Sequence, residues 1–145
     1  MESGYLGVEV NGQRPGLVRI VVSEYLPTRS DSTTGDGPRL RYAARFNDTD
    51  AALMHTHELL KRRLVDLDAH LYRASEQQAI AAIESLGLAH RDVYFDPGLD
   101  QETRVAIESA RLEFVRRRKS KDQIFATMGY LGIGILLFKL LAFSF

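Results

Sequence analysis

The chain has 145 residues, enough for one domain and an appendage. Its 19 basic and 19 acidic side chains cancel, which excludes a chain-wide electrostatic grip on nucleic acid, and no nucleic-acid partner is expected. The absence of cysteine excludes a disulfide framework, thiolate metal sites and cysteine nucleophiles.

The first two apolar stretches, residues 4–10 and 17–26, are rich in β-branched and aromatic residues. Asn11-Gly12 and Pro15-Gly16 bracket the link between them, the pattern of a hairpin with a longer loop. A polar Gly/Ser/Thr connection follows over 27–38. Residues 39–46 alternate, with Leu40, Tyr42, Ala44 and Phe46 on one side and Arg39, Arg41, Ala43 and Arg45 on the other. These three segments predict a small three-stranded antiparallel sheet.

Asp48 or Thr49 suits a helix start. That start takes precedence over the Asn47-Asp48-Thr49 sequon, which has no use on a cytoplasmic domain. Leu53, His57, Leu60, Leu64, Leu67 and Leu71 recur at alternating steps of four and three, predicting one helix to about Arg73. Ser75 and Gln78 have capping-box spacing for a second helix, with Ile80, Ile83 and Leu86 as its apolar edge and Gly87 at its stop. Asp92 to Phe95 fits a short edge strand, and Pro97-Gly98 a turn. A third helix begins near Asp100, with Val105, Leu112 and Val115 as its core stripe and Ile107 and Phe114 beside it. No proline follows Pro97, so nothing stops this helix.

The last 22 residues, Ile124 to Phe145, hold a single charge, Lys139. As a helix they would extend roughly 33 Å, against a bilayer core of about 30 Å. The 15 residues before Lys139 reach only about 22 Å, so a crossing requires Lys139 to snorkel at the far face. Arg116, Arg117, Arg118, Lys119 and Lys121 precede this segment. By the positive-inside rule they place the N-terminal part in the cytoplasm, and they could also attract anionic lipid headgroups. The N-terminus has neither the charge nor the apolar core of a signal peptide. The overall expectation is an α+β protein with a C-terminal single transmembrane helix. Residues 1–99 form the cytoplasmic domain, 100–123 a basic juxtamembrane helix and 124–145 the anchor. Fifteen arginines to four lysines suggest a GC-rich bacterium and hence its inner membrane; a mitochondrial outer-membrane tail anchor is the eukaryotic counterpart.

No constellation predicts catalysis, a cofactor or a metal. His55 and His57, two residues apart, would lie about 200° apart on a helix and cannot share an ion; His57 reads as a core or interface histidine. Asp66 and His70 could form a pair four residues apart, without a third partner. Neither G-x-S-x-G nor a P-loop is present. Two binding candidates remain. Arg39, Arg41 and Arg45 could form an anion-binding strand face. Ala126, Gly129, Gly132 and Gly134, with Lys139, could admit a neighbouring helix closely. The function expected on these grounds is a non-catalytic accessory or assembly subunit of a larger membrane complex, contacting other subunits through its terminal helix. The alternative is a tethered sensor that binds an anionic ligand or nucleotide through the arginine face.

Overall fold

A computed structural model describes residues 3–27 and 37–142, apart from the side chains of 121, 122, 126, 137 and 140–142. The elements run β1 (Gly4–Asn11), β2 (Val18–Ser23), β3 (Pro38–Phe46), α1 (Thr49–Leu60), β4 (Leu64–Asp66), β5 (Leu71–Tyr72), α2 (Glu76–Glu84), β6 (His90–Phe95) and α3 (Gln101–Ala142), with a 3₁₀ turn at Lys61–Arg63. The sheet order is β4-β5-β2-β1-β3-β6, and every pairing is antiparallel.

The expected three-stranded sheet is therefore corrected to six strands. β2, β1 and β3 are its centre, and the predicted edge strand is β6, running beside β3. The addition at the opposite edge is the β4–β5 hairpin, which replaces the second half of the expected long helix. α1 ends at Leu60. Asp66 accepts the Ala69 N–H (3.1 Å), His70 adopts a positive φ of 47°, and Arg73 N–H reaches Arg63 carbonyl at 2.7 Å. Turn chemistry at Asp66 outweighs the leucine spacing. Leu64 and Leu67 are exposed as a result, and Tyr72 fills the core instead.

The core lies between one sheet face and the helices. Leu6, Val8, Ile20, Tyr42, Ala44 and Phe46 meet Ala79, Ile80 and Ile83 of α2, with Leu60 and Ile107 at the flanks. α1 presents Thr49, Ala52, Thr56 and Leu60 inward, a stripe of mostly small side chains that brings the helix close to the sheet. Asp48 caps it, accepting the Ala51 N–H at 2.9 Å. The Ser75–Gln78 capping box opens α2 as expected. Asp100 accepts the Thr103 N–H at 2.7 Å and starts α3. On α3 the inward stripe is Ile107, Ala110 and Phe114, whereas Val105 and Leu112 face outward.

Tyr42 is fully buried, and its hydroxyl donates to Asp92 at 2.6 Å across the β3–β6 pair. Burial, and then the Asp92 carboxylate, push the Tyr42 hydroxyl pKa far above its ordinary value, so it remains a donor throughout the working pH range. Tyr42→Phe should lower unfolding stability by about 1–2 kcal/mol. Urea denaturation checks this, and a change below a few tenths would mean the bond contributes nothing.

α3 is continuous for 42 residues, about 63 Å, so the expectation of an unbroken helix holds. The membrane expectation does not. Among the described residues, no helix is long and apolar enough to cross a membrane. The uncharged apolar run ends at Lys139 after about 22 Å, short of a bilayer core. Three glycines and Tyr130 dilute it further. Of the far-side residues needed for a snorkelling Lys139, 140–142 continue the helix and 143–145 lie outside the described residues. The single-pass, tail-anchored topology and the inner-membrane location with a cytoplasmic domain fall with it.

Candidate functional site

The strand arginines do not share one surface. Val8 pairs with Tyr42, but the next residue, Glu9, pairs with Leu40, so Arg41 is an extra residue in β3. This bulge reverses the alternation on its N-terminal side. Leu40 comes to lie over Gly7 on the far face of the sheet. Arg39 and Arg41 turn to the helix side, while Arg45, in register with Tyr5, stays on the far face.

Arg39 and Arg41 converge on Asp96, a buried carboxylate at 2% exposure. Arg41 Nη1 lies 2.5 Å and Arg39 Nε 3.0 Å from Asp96 Oδ2, and the Gly98 N–H donates to Oδ1 at 2.8 Å. The remaining edge of the Arg41 guanidinium binds Glu76 in the first turn of α2, with Nε–Oε2 at 2.7 Å. Burial alone would raise the Asp96 pKa. The Gly98 N–H and the two guanidinium groups outweigh it and hold the carboxyl below its ordinary value. The result is a clasp that ties the start of α2 and the β6–α3 turn to the bulged strand. Two of the three arginines thus have internal counter-ions. Arg45 forms no ion pair among the described residues. Asp96 was accessible to sequence reasoning through Asp96-Pro97-Gly98, since an aspartate that opens such a turn commonly accepts the N–H two residues on.

A second polar cluster sits where α2, β6 and α3 meet. The Glu84 carboxyl is raised by burial and then by Asp92, with Arg111 opposing. His90 stacks on Phe46 with ring centroids 5.1 Å apart, and its Nε2 stands 3.8 Å from Asp92. His57 is half-buried, its Nδ1 3.3 Å from the Tyr72 hydroxyl, whereas His55 faces solvent. Among the described residues no group of three or more His, Asp or Glu side chains could hold a metal ion, and no buried side-chain polar atom lacks a partner.

The largest unpartnered feature is the distal half of α3. Ile124, Phe125, Met128, Tyr130, Leu131, Ile133, Ile135, Leu136 and Phe138 are all between 56% and 77% exposed. At 100° per residue they cover every side of the helix. A Cβ built at Gly129, Gly132 or Gly134 meets nothing within 4 Å among the described residues, so no other described part of the chain approaches these positions. Lys139 is exposed; the side chains of Ala126 and Lys121 lie outside the described residues. Arg116, Arg117, Arg118 and Lys119 are exposed where α3 leaves the domain, with Arg117 paired to Glu113.

No known protein family, curated protein or solved structure matches this chain.

Proposed function

We propose that this chain is a non-catalytic assembly subunit. Its sheet-and-helix domain carries a rigid helix that is enclosed by helices of partner subunits. The observation supporting this is the exposure of large apolar side chains around the whole circumference of α3 beyond Gln123. A helix that is apolar on all sides belongs in a packed interior. One partner helix, or one groove, would cover a single side only. Enclosure therefore needs a bundle of at least three helices in all, with Gly129, Gly132 and Gly134 at the closest approaches. Lys139 would pair there with a partner's carboxylate or helix-terminal carbonyls. Three glycines also cost an isolated helix about 1 kcal/mol each, a weakness that packing offsets.

The sensor alternative has less support, because Arg39 and Arg41 already hold Asp96 and Glu76. The two readings differ in particle size. A gently prepared lysate of the native source, resolved on a sizing column, should carry the chain in a defined particle several times its own 16.3 kDa. Elution as a free monomer would overturn the assembly reading.

A further inference from the structure

A cleft of about 440 Å³ opens between the end of α1, the end of α2 and the fifth turn of α3. Its floor is apolar: Leu59, Leu86 and Phe114. Its rim is mainly cationic, with the Glu58 carboxylate also lining it. Lys61 and Arg62 come from the 3₁₀ turn after α1, and Arg117 and Arg118 from α3. The two groups are more than 50 residues apart in sequence, and only the fold brings them together.

The rim charges are not all compensated. Glu58 holds Lys61 at 2.6 Å, and Glu113 holds Arg117. Arg62 and Arg118 form no ion pair among the described residues. Two guanidinium groups therefore stand unneutralised above an apolar floor. The C-terminus of α2 borders the same space and would by itself repel an anion. Arg118 prevents that: its Nη1 lies 3.0 Å from where a Cβ on Gly87 would stand, just past the end of α2. Glycine at 87 lets the guanidinium lie between the helix terminus and the cleft.

The geometry points to a binding site for a phosphate monoester carried on an apolar group. A dianionic phosphate matches two uncompensated cations, and guanidinium forks suit its oxygens. The apolar floor takes the attached group, and the volume falls within the usual range for small-molecule sites, about 300–1,000 Å³. The site is independent of the distal helix and of the assembly reading.

The test uses the full chain with 1-naphthyl phosphate as fluorescent probe, and 1-naphthol and inorganic phosphate as controls. The expected result is saturable one-to-one binding of the ester, at least tenfold tighter than either control and weakened by added salt. Arg62→Gln and Arg118→Gln should each weaken it at least tenfold while leaving the thermal midpoint unchanged, because both side chains are exposed. Gly87→Ala should weaken it about threefold by displacing the Arg118 guanidinium. Arg14→Gln, a cation outside the cleft, should change nothing. Vesicles of phosphatidylcholine with and without phosphatidic acid identify the source. Retention on phosphatidic acid that is lost in Arg62→Gln makes the ligand a lipid phosphate, and binding of the soluble ester alone makes it a small metabolite. The proposal is overturned by equal affinity for inorganic phosphate and the ester, by absence of saturable binding, or by wild-type binding in both arginine variants. None of these results alters particle size, so failure here is distinct from failure of the assembly reading.

Discussion

Asp96→Ala should destabilise the domain by about 3–5 kcal/mol, the cost of removing one partner from a buried, hydrogen-bonded charge pair. Against a total stability of about 5–15 kcal/mol for a domain of this kind, that loss is enough to leave it poorly folded at 37 °C. The basis is the position of the carboxylate. It is 2% exposed and receives Arg41, Arg39 and the Gly98 N–H, and Arg41 in turn reaches Glu76. Arg39 is more than half exposed and contributes little; the loss comes from stranding Arg41 and the Gly98 N–H. Asp96→Asn keeps an acceptor for Gly98 and should lose less, about 2 kcal/mol. The pH dependence separates charge from shape. The folded-state pKa is depressed, so the associated stability is fully present above the unfolded value near 3.8. It is lost as pH falls through the lower folded value. Urea unfolding at pH 7 and pH 3 should show wild type losing stability in acid, with that component missing in Asp96→Asn. A loss under 1 kcal/mol in Asp96→Ala at pH 7 would mean the clasp is not structural.

The parts of this fold legible in the sequence are those set by local chemistry. Ser75 with Gln78, Asp48 and Asp100 each satisfy backbone N–H groups at a helix start, and each is where spacing and side-chain type place it. The same holds for the β1–β2 link, which ends in Gly16 at a φ of 79°. Features decided by long-range packing were not legible. Leu64, Leu67 and Leu71 continue a helical period in the sequence, yet the chain gains more by turning at Asp66 and pairing β5 with β2 so that Tyr72 enters the core. α1 buries Thr49, Ala52 and Thr56 in place of the larger Leu53 and Met54, because close approach to the sheet favours small side chains. On β3 the alternation of arginine and apolar residues is real, but one bulged residue moves Arg39 and Arg41 to the other side. The arginine face was thus misplaced by a register shift that strict alternation cannot reveal. The rim of the α1–α3 cleft was half legible: the cations at 116–119 stand out as a run, whereas Lys61 and Arg62 join them only through the fold.

Gly129→Leu combined with Gly132→Leu should abolish co-purification with partner subunits while leaving the domain folded, and the direction of the accompanying stability change makes the result diagnostic. Both positions are open, with nothing within 4 Å of an added Cβ among the described residues, so the substitutions create no clash with them. Leucine is also the better helix former, by somewhat under 1 kcal/mol per site. Considered alone, the double variant should have a slightly more stable distal helix. If α3 packs closely against partner helices, each leucine inserts four heavy atoms where the backbones approach, and the interface must separate. Glycine positions of this kind set how near two helices can come, and dispersion falls steeply with each added ångström. Association should therefore weaken by at least a hundredfold, about 2.8 kcal/mol at 1.4 kcal/mol per factor of ten. Sizing and pull-down of the tagged full chain measure the loss, and circular dichroism reports the retained helix. Lys139→Leu divides the remaining contribution: unchanged assembly means the amine only reaches solvent, whereas lost assembly means it pairs with a partner's acceptor. A glycine variant that assembles as well as wild type would show that apolar area alone, without close backbone contact, holds α3 to its partners.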